Sequence, residues 1–514
     1  LNIRSAAKRP LWQLAAVIIA VIVIALACHE RFLSEGDPAN LALAVRYGMD
    51  LGQERPHAPG YPFFVLVWRF MSTLTGASIH ETMLVVNLAF AVGAIMLLWK
   101  LVQRLFDERI AATACAVLAL NPLFLYYACV SEIYIYDAFI SALTFLLVFR
   151  TSEKRRYAGW FLIGILGGFR ISSVILMTPV LLIAQQIEFG KEQIVPRTLR
   201  SVAMVVLGSA IWAIPFLLTV PLGDSLHDLF LTTTAHRASL LQNGATFATY
   251  LFWTLNVWIV FIFCNIHRSW PIAKSRRSVA LLLWIVAPSL FFIFVHYAKG
   301  YALLIWPAIA VLLANAARTS ERRIWKLFPA IAIISGLVLF FYVPYIEPTF
   351  DIRTSGDHTF SRSIKNIEAR ALSHFLLALS RIERKDIDFE DCSNLIKSVP
   401  ATHRMLIIDG ASNTWLFPKA FAFAFPEDTL IAKNEASDGT VKFYHGATTI
   451  DQYPVASLDA TNALLLWQDT QHPQILPAGV GAKLGQISYF GVYEFKDRLA
   501  LKNEIQSLSF HESR

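Results

Sequence analysis

Runs of apolar residues, each as long as a bilayer is thick, constrain this chain more than any other feature. The first is "LWQLAAVIIAVIVIALACH" at residues 11–29. A stretch of about 18 or more residues almost free of charge reads as a transmembrane helix, because only a helix satisfies its own backbone in lipid. Several runs reach that length, and eleven spans in all are expected, near 11–29, 82–99, 110–129, 134–149, 157–169, 172–187, 201–220, 247–266, 278–296, 301–317 and 327–345. No small-residue cleavage pattern follows the first, so it reads as a retained helix. The composition agrees, with 56% hydrophobic residues. The fold class expected is a mainly α, polytopic transmembrane bundle.

Charge sets the orientation. With the N-terminus in the cytoplasm, the inner segments carry Arg4, Lys8, Arg9, Lys100, Arg104, Arg109, Arg150, Lys154, Arg155 and Arg156. Further inner groups follow at 191–200, 268–277 and 318–326. The outer connections hold far fewer basic residues, Arg31, Arg46, Arg55, Arg69, Arg170, Arg237 and Lys299 among them. Positive residues mark the cytoplasmic side. The net charge of +8 is therefore explained by topology and carries no argument for nucleic acid. One stretch, "YPFFVLVWRFMSTLTG" at 61–76, would invert this pattern if it crossed. It is read as a helix lying on the outer face, with Arg69 reaching water.

Residues 346–514 differ in kind. "RMLIIDG" (404–410), "ALLLWQD" (463–469) and "ISYFGVYEF" (487–495) read as strands. Residues 361–384 read as a helix, and "TWLFPKAFAFAFPEDTLI" as a helix-to-strand connection. Two domains are expected: a membrane domain over 1–345 and an extracytoplasmic α/β domain over 346–514. Asp409 and Gly410 close a strand and read as a turn. The five cysteines, Cys28, Cys115, Cys129, Cys264 and Cys392, fit no metal spacing or disulfide framework and read as packing residues.

Ionisable groups at a bilayer face are functional candidates. On the outer side these are Glu35, Asp37, His57, Glu132, Asp137, Arg170, His236, Arg237, His296 and Lys299. Each has a plainer role. Asp37, ahead of Pro38 and an apolar run, suits a helix N-cap. Glu132 and Asp137 suit solvated interfacial positions, Lys299 a snorkelling one, and the histidines structural or exposed ones. Arg170, in "GGFRISS", has no acidic neighbour in sequence and needs either a distant carboxylate or a ligand anion. Their convergence on one face suits an anionic membrane-bound reactant and a hydroxyl nucleophile. A carboxylate would take the hydroxyl proton, and a guanidinium would hold a phosphate.

The stretch from Gly36-Asp37 through Ala44 and Gly48 to "RPHAPGYPFF" resembles the first external loop of GT-C membrane glycosyltransferases. The nearer branch is that of protein O-mannosyltransferases and aminoarabinose transferases. "LVQRLFDERIAATACAVLALNPLFLYYACVSEIYIYDAF", "GWFLIGILGGFRISSVILMTPVLL" and "GYALLIWPAIAVL" are similar to later parts of that pattern, so the resemblance covers about 11–345. It implies transfer of a sugar from a polyprenyl-phosphate donor to a lipid, glycan or protein acceptor at the outer face of the cytoplasmic membrane, with inversion. It implies a catalytic role for Asp37, with either Glu132 or Asp137 as the second acid. The family often has Asp-Glu where this chain has Asp37-Pro38. Arg170 and then Lys299 are the candidates for the phosphate. His57, Tyr61 and Tyr301, in the resembling stretches, join them as candidate substrate contacts. No cofactor is fixed; a divalent metal shared by two acidic loops and simple polarisation of a hydroxyl both stay open. Membrane lipids are the remaining partners. A transporter or flippase would instead require charges at mid-depth and a related second half. A non-catalytic scaffold would tolerate loss of Asp37.

Overall fold

The computed structural model describes residues 3–51, 55–56, 60–149, 152–189, 193–219, 240–269, 276–295, 300–320, 322–344 and 377–398. Beyond these it describes 404–409, 418–426, 429–433, 442–445, 448–450, 462–468, 480–487 and 490–495. The chain forms two compact units. One comprises Leu1–His29 and Tyr61–Ile382, the other Glu30–Gly60 and Glu383–Arg514. Residues 30–60 thus group with the C-terminal region, although they precede most of the helical unit in sequence.

The first unit is helical. Its helices are α1 (Ile3–Cys28), α3 (Pro62–Thr75), α4 (Ile79–Leu105), α5 (Glu108–Ala119), α6 (Pro122–Cys129), α7 (Ile135–Val148), α8 (Glu153–Leu166), α9 (Ile171–Phe189) and α10 (Ile194–Thr219). They continue with α11 (Leu240–Leu255), α12 (Trp258–Ser269), α13 (Arg276–Phe294), a 3-10 turn (Tyr301–Leu304), α14 (Trp306–Thr319) and α15 (Arg323–Tyr342). Among the described residues six helices are long and apolar enough to cross a membrane, or up to eight if each of two bent pairs is one span. The chain is a polytopic membrane protein. Large apolar side chains on these helices, such as Val23 of α1, Leu199 of α10 and Phe294 of α13, stay exposed, as lipid-facing residues do.

Local sequence explains where helices begin and bend. Ser78 and Glu81 form a reciprocal capping box at α4. The Asp107 carboxylate accepts the Arg109 and Ile110 N–H groups at the start of α5. The expected span 110–129 bends by 62° between α5 and α6. There Asn121 caps the Leu123 N–H at 3.0 Å and Pro122 opens the new helix. The expected span 247–266 bends by 95° between α11 and α12. Asn256, at the break, has φ of 41°. Helices α7, α8 and α14, expected as spans, have 14 residues each. That is roughly 21 Å of helix, short of a hydrocarbon core of about 30 Å. Most of α7 is buried, which explains why its sequence is apolar on every side. Glycine brings α8 and α10 together: a Cβ on Gly164 would strike the Val205 carbonyl, and one on Gly208 the Phe161 carbonyl.

Helix α3 covers the stretch expected to lie on the outer face. Its 14 residues are again too few to cross upright. It buries Pro62, Phe64, Val65 and Trp68 and exposes Leu66, Phe70 and Leu74. Two apolar faces suit a helix between protein and lipid.

The second unit holds α2 (Gly36–Tyr47), α16 (Leu379–Ser398) from Glu383 onward, α17 (Pro418–Ala424) and a seven-stranded sheet. The strands are β1 (Arg404–Asp409), β2 (Thr429–Lys433), β3 (Lys442–His445), β4 (Thr448–Ile450), β5 (Asn462–Gln468), β6 (Val480–Ile487) and β7 (Phe490–Phe495). Their order is β4-β3-β2-β1-β5-β7-β6. The central strand β1 runs parallel to β2 and β5, and the outer pairs are antiparallel. The connection read around 414–431 is α17 followed by β2. The stretch 487–495, read as one strand, is the end of β6 and all of β7. Ile487 pairs with Phe490, so the chain reverses there. The helix read at 361–384 falls mostly outside the described residues; α16 begins at Leu379 and runs on to Ser398.

Candidate active site

In the first unit, one cluster gathers at the junctions α6–α7 and α8–α9. Asp137 stands in the first turn of α7, where the helix N-terminus favours negative charge. Arg170 immediately precedes α9. Its Nε lies 3.4 Å from Asp137 Oδ1. The Ser173 hydroxyl, in the first turn of α9, donates to the same oxygen. Arg170 Nε also donates to Ser172 Oγ at 3.4 Å. Both charged residues are almost fully enclosed, Asp137 at 2% and Arg170 at 3% exposure. The partner that sequence could not choose for Arg170 is thus a carboxylate from another loop.

Tyrosines surround the pair. The Arg170 guanidinium lies 4.6 Å from the Tyr134 ring centroid and 5.0 Å from that of Tyr301. Such contacts stabilise a buried cation through the ring quadrupole. Tyr61 is an electrostatic neighbour as well. Gly300 makes the approach of Tyr301 possible: a Cβ there would collide with the Tyr134 ring. Two backbone contacts hold the frame. The Tyr136 hydroxyl donates to the Leu166 carbonyl at 3.0 Å, and the Phe63 N–H of α3 donates to the Gly168 carbonyl at 3.0 Å. Within this frame Arg170 Nη1 is buried without a hydrogen-bond partner among the described residues. A buried guanidinium nitrogen in that condition keeps hydrogen-bonding capacity for a further oxygen acceptor.

Glu132 lies beside this cluster but in different company. It is 7% exposed. Asn87 of α4 pins its peptide, donating to the Val130 and Glu132 carbonyls at 2.9 and 2.8 Å. Its charged neighbour is Arg381, in the first turn of α16 and 4% exposed, with Tyr126, Tyr127 and Tyr250 close by. The Tyr126–Tyr127, Tyr127–Tyr134 and Tyr134–Tyr301 ring contacts, at 5.2, 5.2 and 5.7 Å, link the two charge centres. Sequence reasoning missed Arg381. Its signal was an arginine among the buried apolar residues Leu377, Ala378 and Ile382.

In the second unit, Asp37 lies in the first turn of α2 and is exposed. The N-cap position falls on Glu35, so Asp37 is not the cap its sequence context suggested. The helix ends at Gly48, whose φ of 105° suits glycine and whose N–H returns to the Ala44 carbonyl. A small bridge follows: the Asp50 and Arg55 backbones exchange hydrogen bonds of 2.7 and 2.8 Å, and their side chains pair at 3.2 Å. The candidates His57, His236, Arg237, His296 and Lys299 lie outside the described residues. Among the described residues no three of His, Cys, Asp and Glu gather as a metal site.

The family model described as dolichyl-phosphate-mannose-protein mannosyltransferase matches residues 56–219. That range holds Tyr61, Glu132, Asp137 and Arg170 but not Asp37 or Tyr301. No curated protein matches the chain in sequence. The crystal structure of ArnT from Cupriavidus metallidurans in the apo state matches with a TM-score of 0.63 at 16% identity, covering 97% of this chain and 99% of that one. ArnT from the same organism bound to undecaprenyl phosphate matches with a TM-score of 0.62 at 14% identity, covering 93% and 97%.

The fold is of the GT-C type. The GT-C likeness extends over nearly the whole chain, the strand-bearing C-terminal region included. The resemblance read from sequence covered only about 11–345.

Proposed function

We propose that this chain is an integral membrane glycosyltransferase. It moves a hexose or pentose from a polyprenyl-phosphate donor to a hydroxyl acceptor at the outer face of the cytoplasmic membrane. The observation that supports this most is the shared fold of a structure solved with undecaprenyl phosphate. The family match over residues 56–219 agrees with it. The basic inner segments support a cytoplasmic N-terminus and an extracytoplasmic C-terminal region.

The reaction is one in-line displacement. The acceptor oxygen bonds to the anomeric carbon while the bond from that carbon to the phosphate oxygen breaks. The electron pair leaves with the polyprenyl phosphate, and the configuration inverts. Asp37 accepts or orients the hydroxyl proton, as its exposure in a helix first turn suits. Arg170 offers Nη1 to the phosphate while Asp137 holds its Nε. A guanidinium fixed in this way needs no reorganisation as charge develops on the leaving group. Lys299 is assigned to the same phosphate. Glu132 positions the acceptor, with Tyr61, Tyr301 and His57 as further substrate contacts. The acceptor is a lipid, a glycan or a protein.

The test is a donor panel. Purified protein in detergent is incubated with polyprenyl phosphates carrying different sugars and with a membrane extract as acceptor. Release of polyprenyl phosphate with one sugar, coupled to a glycosylated product, supports the reading. Donor binding without release, across the panel and in the presence of acceptor, would point to a scaffold or transporter.

A further inference from the structure

Helix α16 carries a set of contacts that the proposed chemistry does not use. All of them end on residues 30–35, the segment leading into α2 and Asp37. The Asp386 carboxylate accepts the Arg31 N–H at 3.0 and 2.9 Å through its two oxygens. It also accepts the Phe32 N–H at 3.2 Å. The Arg31 side chain turns back to Asp386 at 3.7 Å and to Glu390 at 2.9 Å. The Phe32 and Phe389 rings meet at 5.5 Å. Immediately before Asp386 in sequence, the Lys385 ammonium pairs with the carboxylate of Glu35, the residue at the N-cap of α2. Asp386 and Lys385 are both buried. The far end of α2 is held too, since Arg46 donates to the Phe423 carbonyl at 2.7 Å and stacks on its ring at 3.9 Å.

Two features set these contacts apart from ordinary packing. A carboxylate receiving two successive backbone N–H groups fixes peptide orientation, not only position, and charge-assisted bonds of this kind are the strong ones. The second contact grips the residue two places before Asp37. The loop bearing the candidate base is thus oriented by a side chain 355 and 354 residues away in sequence from the two N–H groups it holds.

We propose that Asp386 and Lys385 are positioning residues for Asp37: the C-terminal region contributes to catalysis by orienting the first outer loop through α16. This rests on Asp37 being the proton acceptor. Asp386→Ala removes both N–H acceptors. Asp386→Asn keeps an acceptor oxygen and serves as the conservative variant. Misplacing a reacting group by an ångström costs on the order of 100-fold in rate. The expected result for Asp386→Ala is a fall in kcat of about 10- to 100-fold with KM for the donor unchanged within about twofold. Asp386→Asn is expected to recover most of that loss. The joint replacement of Glu35→Ala with Lys385→Ala removes the second contact without leaving either charge buried alone, and the same split is expected.

The experiment measures donor kinetics of all three with Asp37→Asn alongside, on monodisperse protein in detergent. Wild-type kcat in both Asp386→Ala and the joint variant, with Asp37→Asn inactive, overturns the positioning role. So does a loss shared equally by Asp386→Ala and Asp386→Asn, or one confined to KM. If Asp386→Ala does not yield monodisperse protein, the joint variant decides between the same outcomes. Wild-type turnover by Asp37→Asn is a different failure, that of the catalytic assignment itself.

Discussion

Arg170 and Asp137 form a buried ion pair, and buried pairs have a characteristic response to mutation. Removing one partner leaves the other charge enclosed and unpaired, at a cost of about 3–5 kcal/mol. Arg170→Met and Asp137→Leu are each expected to lower the thermal unfolding midpoint strongly in detergent, and the double variant to recover part of the loss. Arg170→Met alone should also weaken binding of polyprenyl phosphate, read by native mass spectrometry; the double variant should recover stability but not binding. Sequence could mark Arg170 as a residue needing a partner, because an arginine between apolar spans has few alternatives. It could not choose Asp137, which lies in another loop and meets Arg170 only once α7 and α9 are packed. Asp37 shows the opposite case. Its place at the start of a helix was legible from Asp37-Pro38. The shift of the cap to Glu35 depends on backbone geometry that several residues in that stretch could have supplied.

At the scale of elements, close helix approach and loop support make separate predictions. A side chain at Gly208 must displace the Phe161 carbonyl. Gly208→Leu should separate α8 from α10 and destabilise by about 1–3 kcal/mol or more, as overpacking does. Circular dichroism melting would show it. Asp386 adds a pH prediction. Burial, with Glu30 adding to it, pushes its carboxyl up to about 6 against the Arg31 and Phe32 N–H groups and the Arg31 charge. The folded protein therefore holds this proton more tightly than the unfolded chain does. Stability from this group is greatest below the ordinary carboxylate value of roughly 4 and is lost as pH rises through about 6. Asp386→Asn, neutral at every pH, should reduce the drop in thermal midpoint across that window. The helices themselves were largely legible, since length and apolarity dominate their sequences. The bends were less so. Asn121-Pro122 is a readable break, but apolar residues on both sides mask it, and Asn256 has no proline beside it.

At the scale of the molecule, the strand-bearing region reads as a separate domain by composition, and its strands near 404, 463 and 490 were visible in outline. What composition could not show is that residues 30–60 belong with that region. The joining contacts are long-range and involve charged residues that look solvated in sequence. The orientation is open to direct test. A reporter fused after Ser398 is expected to be active outside the cytoplasm, and one fused after Gln193 inside it. The reverse result would invert every loop assignment.

Asp37 joins the chemistry to the loop. The most direct measurement is the rate of polyprenyl phosphate release by Asp37→Asn beside wild type, with the donor that the panel identifies. Loss of a general base should slow release by about 100- to 10,000-fold while donor binding persists. Release within about twofold of wild type by a folded variant would contradict the assignment of the proton to this loop.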